Sequence, residues 1–161
     1  MEKKIVIYGA GYVGLANGIA LAKNNSVTII ESNLEKLKKL KNLQSPLDDE
    51  LLQHYLIAHR HNLSFQEKLN TAEADVYILA LPTSFDELKG EFDISILDDA
   101  ISVIDKFHAS ENSKPSVCIK STVPIGYTKS MQKLYPRLKL VFSPEFLPKV
   151  NEILATMESY H

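Results

Sequence analysis

The chain has 161 residues, 45% of them hydrophobic and 24% charged, which is the size and composition of one globular domain and excludes a collagen-like or disordered chain. Eighteen basic side chains against twenty acidic ones leave a formal net charge of −2, so no overall field draws the chain to nucleic acid or to an anionic membrane. One cysteine forms no internal disulfide, no apolar stretch reaches the roughly 18 residues of a membrane span, and Met1-Glu2-Lys3-Lys4 passes into a strand-like run rather than a signal-peptide core, which reads as cytoplasmic.

Residues Lys4 to Tyr8 form a short apolar run, read as a strand, and pass directly into Gly9-Ala10-Gly11-Tyr12-Val13-Gly14. Leu15 to Asn24, rich in Ala and Leu with small residues between, suits a helix packed closely on a sheet. Ser26 to Ile30 is a second strand and ends at Glu31, so the first unit is βαβ. Asn33 is placed to cap a helix on which Leu34, Leu37, Leu40 and Leu43 form an apolar stripe; the lysines at 36, 38, 39 and 41 are read mostly as its solvated face. Ser45-Pro46 breaks that helix, Asp48 to Ala58 forms another with acidic residues at its start, and Leu63-Ser64-Phe65 is a short strand.

Asp75 to Leu81 carries the strongest buried-strand signal in the middle of the chain, and Pro82-Thr83-Ser84 stops it. A loop with Gly90 at its tip follows. Asp93 is placed to cap a helix with Ile94, Leu97, Ile101, Ile104 and Phe107 on one face. Pro115 to Ser121 is a further strand, Thr122 to Gly126 a turn, Thr128 to Leu134 a helix and Leu138 to Phe142 the last strand. Strands alternating with helices predict an α/β domain, doubly wound, with a mostly parallel sheet covered by helices on both faces through right-handed crossovers.

The glycine turn follows a predicted strand, opens a predicted helix and lies in a βαβ unit, the context in which a GxGxxG spacing becomes a Rossmann-like dinucleotide fingerprint. Gly9 permits the tight turn, Gly11 lets backbone approach a pyrophosphate, and Gly14 lets the helix lie close to the strand. The helix start then offers N–H groups and a positive dipole end to the phosphates. Glu31, about twenty residues beyond Gly11, can accept hydrogen bonds from ribose hydroxyls and would repel a 2′-phosphate, which predicts NAD rather than NADP. The plainer alternative is a glycine turn that only packs, with Glu31 a solvated strand end.

Three later segments add to the glycine turn: Leu81-Pro82-Thr83, Lys120-Ser121-Thr122-Val123-Pro124-Ile125-Gly126-Tyr127-Thr128, and Phe142-Ser143-Pro144-Glu145-Phe146-Leu147. In order and spacing the four together resemble the NAD-binding half of the UDP-glucose/GDP-mannose dehydrogenase family, and within it bacterial UDP-glucose 6-dehydrogenases. The resemblance covers Met1 to about Leu147. It implies that Gly9, Gly11, Tyr12, Val13, Gly14 and Glu31 bind the cofactor, that Lys36 reaches toward the adenosine end, and that Thr83 and Thr122 line the nicotinamide side. It further implies that Glu145, with Thr122, positions or activates the water that hydrolyses a covalent intermediate. Taken singly, each threonine is an ordinary turn residue and Pro144-Glu145 an ordinary surface turn.

By the same resemblance, complete relatives oxidise the C6 alcohol of UDP-glucose to a carboxylate with two NAD, through a thioester on a cysteine of a C-terminal domain, helped by a lysine and an asparagine that also lie beyond this sequence. Cys118 stands inside a predicted strand and is read as a small buried hydrophobe rather than that nucleophile. The five histidines and Asp48-Asp49-Glu50 have no metal-ligand spacing, so no metal is expected. Where the family pattern continues with Arg-Glu-Gly, this chain has Pro148-Lys149-Val150, and 151–161 has no counterpart. The expectation is an NAD-binding domain at 1–147 and a divergent tail at 148–161, in a chain interrupted, truncated or given an alternative end. A UDP-sugar is then a partner only if the missing central and C-terminal domains are supplied. Open alternatives are a fragment of a UDP-N-acetylmannosamine or GDP-mannose dehydrogenase, and a non-catalytic NAD-binding regulatory module. The oligomeric state is left open.

Overall fold

In the computed structural model, which describes residues 1–70, 74–87, 90–109 and 114–144 and omits the side chains of Asp86 and Glu91, strand β1 (Lys4–Tyr8) runs through the centre of the sheet. Its apolar residues serve both faces. Ile5 and Ile7 enter one buried cluster, and Val6 and Tyr8 the other, as successive strand side chains must. The remaining elements are α1 (Tyr12–Leu21), β2 (Ser26–Ile30), α2 (Leu34–Lys41), α3 (Glu50–Ala58), a 3₁₀ turn at Arg60–Asn62, β3 (Leu63–Gln66) and β4 (Val76–Leu79). After them come β5 (Ser84–Asp86), β6 (Glu91–Asp93), α4 (Ser95–Phe107), β7 (Ser116–Ile119), α5 (Tyr127–Leu134) and β8 (Lys139–Phe142).

The main sheet has six strands in the order β3-β2-β1-β4-β7-β8, and every pair is parallel. Ile5 of β1 faces Val27 of β2 on one side and Val76 of β4 on the other. The chain moves outward from β1 to β3, then returns to the other flank of β1, so strand order reverses between β1 and β4. That reversal opens a crevice at the carboxyl ends of the strands, where sheets of this kind take ligands. The doubly wound, mostly parallel sheet with helices on both faces is as expected.

On one face Leu15 and Ile19 of α1 and Leu52 and Leu56 of α3 pack with Ile7, Val27 and Ile29. On the other, Leu97, Ile101 and Ile104 of α4 pack with Val6, Tyr77, Leu79, Val117 and Ile119. Each such side chain contributes about 1.5–3 kcal/mol when fully buried. Helix α1 sits so close to the sheet that a Cβ on Gly18 would lie 2.7 Å from Ile29 Cδ1. The close approach of helix to sheet rests on Gly14, as the sequence pointed to, where a Cβ would meet backbone at Gly9 O, and Gly18 adds to it one turn further on.

Several boundaries differ from expectation. Helix α1 starts at Tyr12, on the glycine turn itself, and not at Leu15. The four-leucine stripe on α2 is reduced to Leu37 and Leu40, because Leu34 in the first turn is 64% exposed and the helix ends before Leu43. Gln44 N–H donates to Lys39 O and Leu43 N–H to Leu40 O, both at 2.9 Å, a Schellman end that puts Leu43 at φ +57°. Glycine normally holds that position, which is why the sequence did not mark it. The expected loop around Gly90 contains the antiparallel pair β5 and β6, with Phe85 opposite Phe92 and their rings 5.0 Å apart. Asp93 acts at the start of α4 as expected, its Oδ1 accepting from Ser95 N–H at 3.1 Å and from Ser95 Oγ–H at 2.6 Å, although the capping position itself is Ile94.

Candidate functional site

The first candidate segment leaves β1. Gly9 has φ +96°, and a Cβ there would meet Ala80 O at 2.4 Å; one on Gly14 would meet Gly9 O at 1.9 Å. The turn is thus folded against itself and against the end of β4, with no room for side chains at either position. Gly11 differs, because a Cβ there would have nothing within 4 Å. Its backbone borders open space. Gly11 is also the N-cap of α1 and offers no side-chain cap, whereas α2 and α3 are capped by Asn33 and Asp49. An anion placed before Gly11, Tyr12 and Val13 would meet N–H donors and the positive end of a ten-residue helix.

Glu31 follows β2 and is 9% exposed. Its Oε2 accepts from Ala10 N–H at 3.1 Å and its Oε1 from Asn33 N–H at 2.8 Å. Gly9 N–H donates to Ile30 O at 2.9 Å beside it. The carboxylate is thus held by the backbone of the glycine turn on one side and by the approach to α2 on the other. It is no solvated strand end. Each oxygen accepts one of these bonds and has a second lone pair for a ribose hydroxyl. Lys36 lies half-buried in the first turn of α2, where its N–H and that of Glu35 donate to Asn33 Oδ1 at 3.1 and 3.0 Å.

Thr83 and Thr122 leave the neighbouring strands β4 and β7, Thr83 half-buried and Thr122 exposed. Between them stands Ser121, 6% exposed, which the sequence reading did not single out. Its Oγ accepts from Leu81 N–H at 3.0 Å and lies 2.8 Å from Leu81 O and 3.2 Å from Leu79 O. Nearby, Tyr127 O–H donates to Asp98 Oδ1 at 2.6 Å and ties the start of α5 to the start of α4. Burial, and then that bond, pushes the Tyr127 hydroxyl well above its usual range. Ser143 N–H donates to Ile119 O at 3.0 Å and continues the edge past β8, but Glu145 lies outside the described residues, as does 148–161.

Across the carboxyl edge the order is therefore Glu31, the glycine turn, Thr83 and Thr122. Cys118 lies within β7, half-buried against the cluster under α1. Among the described residues no group of three or more His, Cys, Asp or Glu is placed to hold a metal ion, and no helix is long and apolar enough to cross a membrane.

Residues 3–159 match the model of the NAD-binding domain of the UDP-glucose/GDP-mannose dehydrogenase family. The chain belongs to that family. It is 38% identical over 148 residues to the UDP-glucose 6-dehydrogenase of Campylobacter jejuni and 34% identical over 148 residues to that of Streptococcus pneumoniae. Each alignment takes in 89% of this chain and 37% or 36% of the relative, so the chain spans little more than a third of their length. The GDP-mannose dehydrogenase of Pseudomonas aeruginosa superposes with a TM-score of 0.82 at 20% identity, over 94% of this chain and 38% of that one, a likeness of fold. The UDP-N-acetyl-mannosamine dehydrogenase of Staphylococcus aureus gives 0.78 at 25% identity, over 89% and 37%. As the family's NAD-binding domain, the chain has a turn that fits the cofactor, since Gly11 leaves the space and Glu31 supplies the carboxylate.

Proposed function

We propose that the chain holds NAD along the carboxyl ends of β2, β1, β4 and β7 and is the cofactor-binding portion of an oxidoreductase acting on UDP-glucose. The observation that carries this is the buried Glu31 carboxylate, fixed by Ala10 N–H beside a glycine turn with open space at Gly11. In this reading Gly11, Tyr12 and Val13 take the pyrophosphate, while Gly9 and Gly14 give the turn its shape. Glu31 takes the adenosine ribose, and its charge disfavours a 2′-phosphate. Lys36 approaches the adenosine end. Thr83 and Thr122 orient the nicotinamide, and Glu145 with Thr122 holds a water near the reacting carbon.

NAD, when bound, supplies the acceptor for hydride. The identity to two UDP-glucose 6-dehydrogenases favours UDP-glucose over the related sugars. Turnover also needs a nucleophilic thiolate. Cys118, the one cysteine of this sequence, is packed in a strand against apolar neighbours and does not serve. The chain by itself binds NAD and does not oxidise UDP-glucose.

Titration calorimetry of the purified chain with NAD and with NADP tests the binding; NAD should bind measurably and NADP at least about tenfold more weakly. Equal affinities would overturn the role of Glu31. Mixing the chain with NAD and UDP-glucose should give no NADH above background, and clear turnover would overturn the account of Cys118.

A further inference from the structure

The parallel ladder between β4 and β7 ends at the pair Leu79 and Ile119. Past that pair the two backbones must separate for their turns to diverge, and each loses the partner that a continuing strand would supply. Leu79 O still accepts from Lys120 N–H at 2.9 Å and from Ser121 N–H at 3.2 Å. Leu81, the next residue able to bond, finds its partner in a side chain: Ser121 Oγ accepts from Leu81 N–H at 3.0 Å and donates to Leu81 O at 2.8 Å. Both polar groups of one residue are thus bound by a single buried hydroxyl.

The attachment points are close to the two threonines. Pro82 separates Leu81 from Thr83 and fixes its own φ, while Thr122 directly follows Ser121 and Pro124 stiffens the turn beyond. The arms are short and stiff, so the relative position of Thr83 and Thr122 depends on the bonds at Leu81. We infer that Ser121 is a positioning residue: its hydroxyl sets the spacing of the Thr83 and Thr122 turns, and so the fit of the nicotinamide half of NAD, without itself touching the cofactor. A serine suits the task because its hydroxyl both donates and accepts on a side chain short enough to stay between two diverging backbones. This rests on the proposal that Thr83 and Thr122 face the nicotinamide, and it assigns to Ser121 a part that this proposal does not contain.

The test uses two probes on the full chain. ADP carries the adenosine and pyrophosphate that the glycine turn and Glu31 would hold, and NAD adds the nicotinamide half. In Ser121→Ala the dissociation constant for NAD should rise about five- to tenfold, with that for ADP within about twofold of the parent chain. Ser121→Cys, whose sulfur is a weaker donor and acceptor at similar volume, should show the same selective loss in smaller degree and supplies the measurement if the alanine variant fails to fold. Parallel loss of both ligands would mean that Ser121 only supports the fold, and unchanged binding of both would mean that it positions nothing; either overturns the inference. If the parent chain binds neither NAD nor ADP, the dinucleotide reading itself fails and the inference falls with it. If the parent binds ADP as tightly as NAD, the threonines make no nicotinamide contact for Ser121 to position, which overturns the inference while leaving the glycine turn and Glu31 as assigned.

Discussion

Glu31 Oε2 accepts a 3.1 Å hydrogen bond from Ala10 N–H, which joins the end of β2 to the glycine turn that ends β1. The same carboxylate accepts from Asn33 N–H, so one buried charge organises the turn and the approach to α2 together. Glu31→Ala should cost about 1.5–3 kcal/mol of stability, the usual range for hydrogen bonds to a charged group, and should also reduce the preference for NAD over NADP. Thermal melts with and without each nucleotide measure both. A variant of unchanged stability would show that the carboxylate bonds are not formed in solution.

Gly11 and Gly14 separate the two tasks of the glycine turn. Gly14→Ala would place its Cβ 1.9 Å from Gly9 O and should unfold or displace the turn, with a large fall in melting temperature. Gly11→Ala meets nothing within 4 Å, so the melting temperature should stay within a few degrees of the parent while NAD binding is lost. Comparing melting and titration for both variants decides this. If Gly11→Ala kept full affinity, the open space at Gly11 would not be the pyrophosphate site.

Tyr8 and Tyr77 both carry buried hydroxyls on the α4 side of the sheet, with different surroundings. Tyr77 O–H is 2.9 Å from His108 Nε2, in an edge-on arrangement with ring centroids 5.6 Å apart. Tyr8 O–H has no hydrogen-bond partner among the described residues. Tyr8→Phe should therefore be neutral or stabilising by up to about 1 kcal/mol, whereas Tyr77→Phe takes a partner from buried His108 and should cost about 1–3 kcal/mol. Urea denaturation of the two variants provides the comparison, and the opposite order would refute it.

Burial is the main reason that the hydroxyls of Tyr8 and Tyr127 hold their protons above the usual 10.0; Tyr77 adds to the effect at Tyr8, and the bond to Asp98 adds to it at Tyr127. A group whose pKa is raised in the folded state contributes its stability fully below the unfolded value and loses it as pH rises beyond. The contribution of these two groups should accordingly not vary with pH below 10 and should decline above it. Of the seven tyrosines, at least two should form tyrosinate only as the fold is lost, read by absorbance alongside circular dichroism. Complete ionisation with the fold intact would contradict the burial of both.

The central strands β1, β2, β4 and β7 were legible because each is a short, largely apolar run bounded by Gly, Pro or a charge, and the sheet buries such runs on both faces. Asn33 and the Leu97, Ile101 and Ile104 face were legible for the same local reason. What escaped is fixed by backbone bonds, by strands of minimal length or by contacts across the fold, none of which leaves a side-chain pattern. Leu43 takes a glycine's conformation because two backbone bonds hold it there, and no side-chain pattern marks that. The pair β5 and β6 offers only three residues per strand, too few for alternation to register. Glu31 was visible as a carboxylate at the right distance, but not as one already bonded to Ala10. Ser121 was hidden by its neighbour, because Thr122 drew the functional reading while the hydroxyl that reaches β4 comes from the residue before it.

The strand order also governs how this chain assembles. β1 is made before β4, and within the sheet its Ile5 and Ile7 have only β2 beside them until Val76–Leu79 is synthesised about seventy residues later. The pairing of β1 with β4 closes that long loop, the kind of non-local contact that slows folding. One flank of an apolar strand therefore waits for its partner during synthesis, and the unit of β1, α1 and β2 is open to wrong pairing on that flank while it waits.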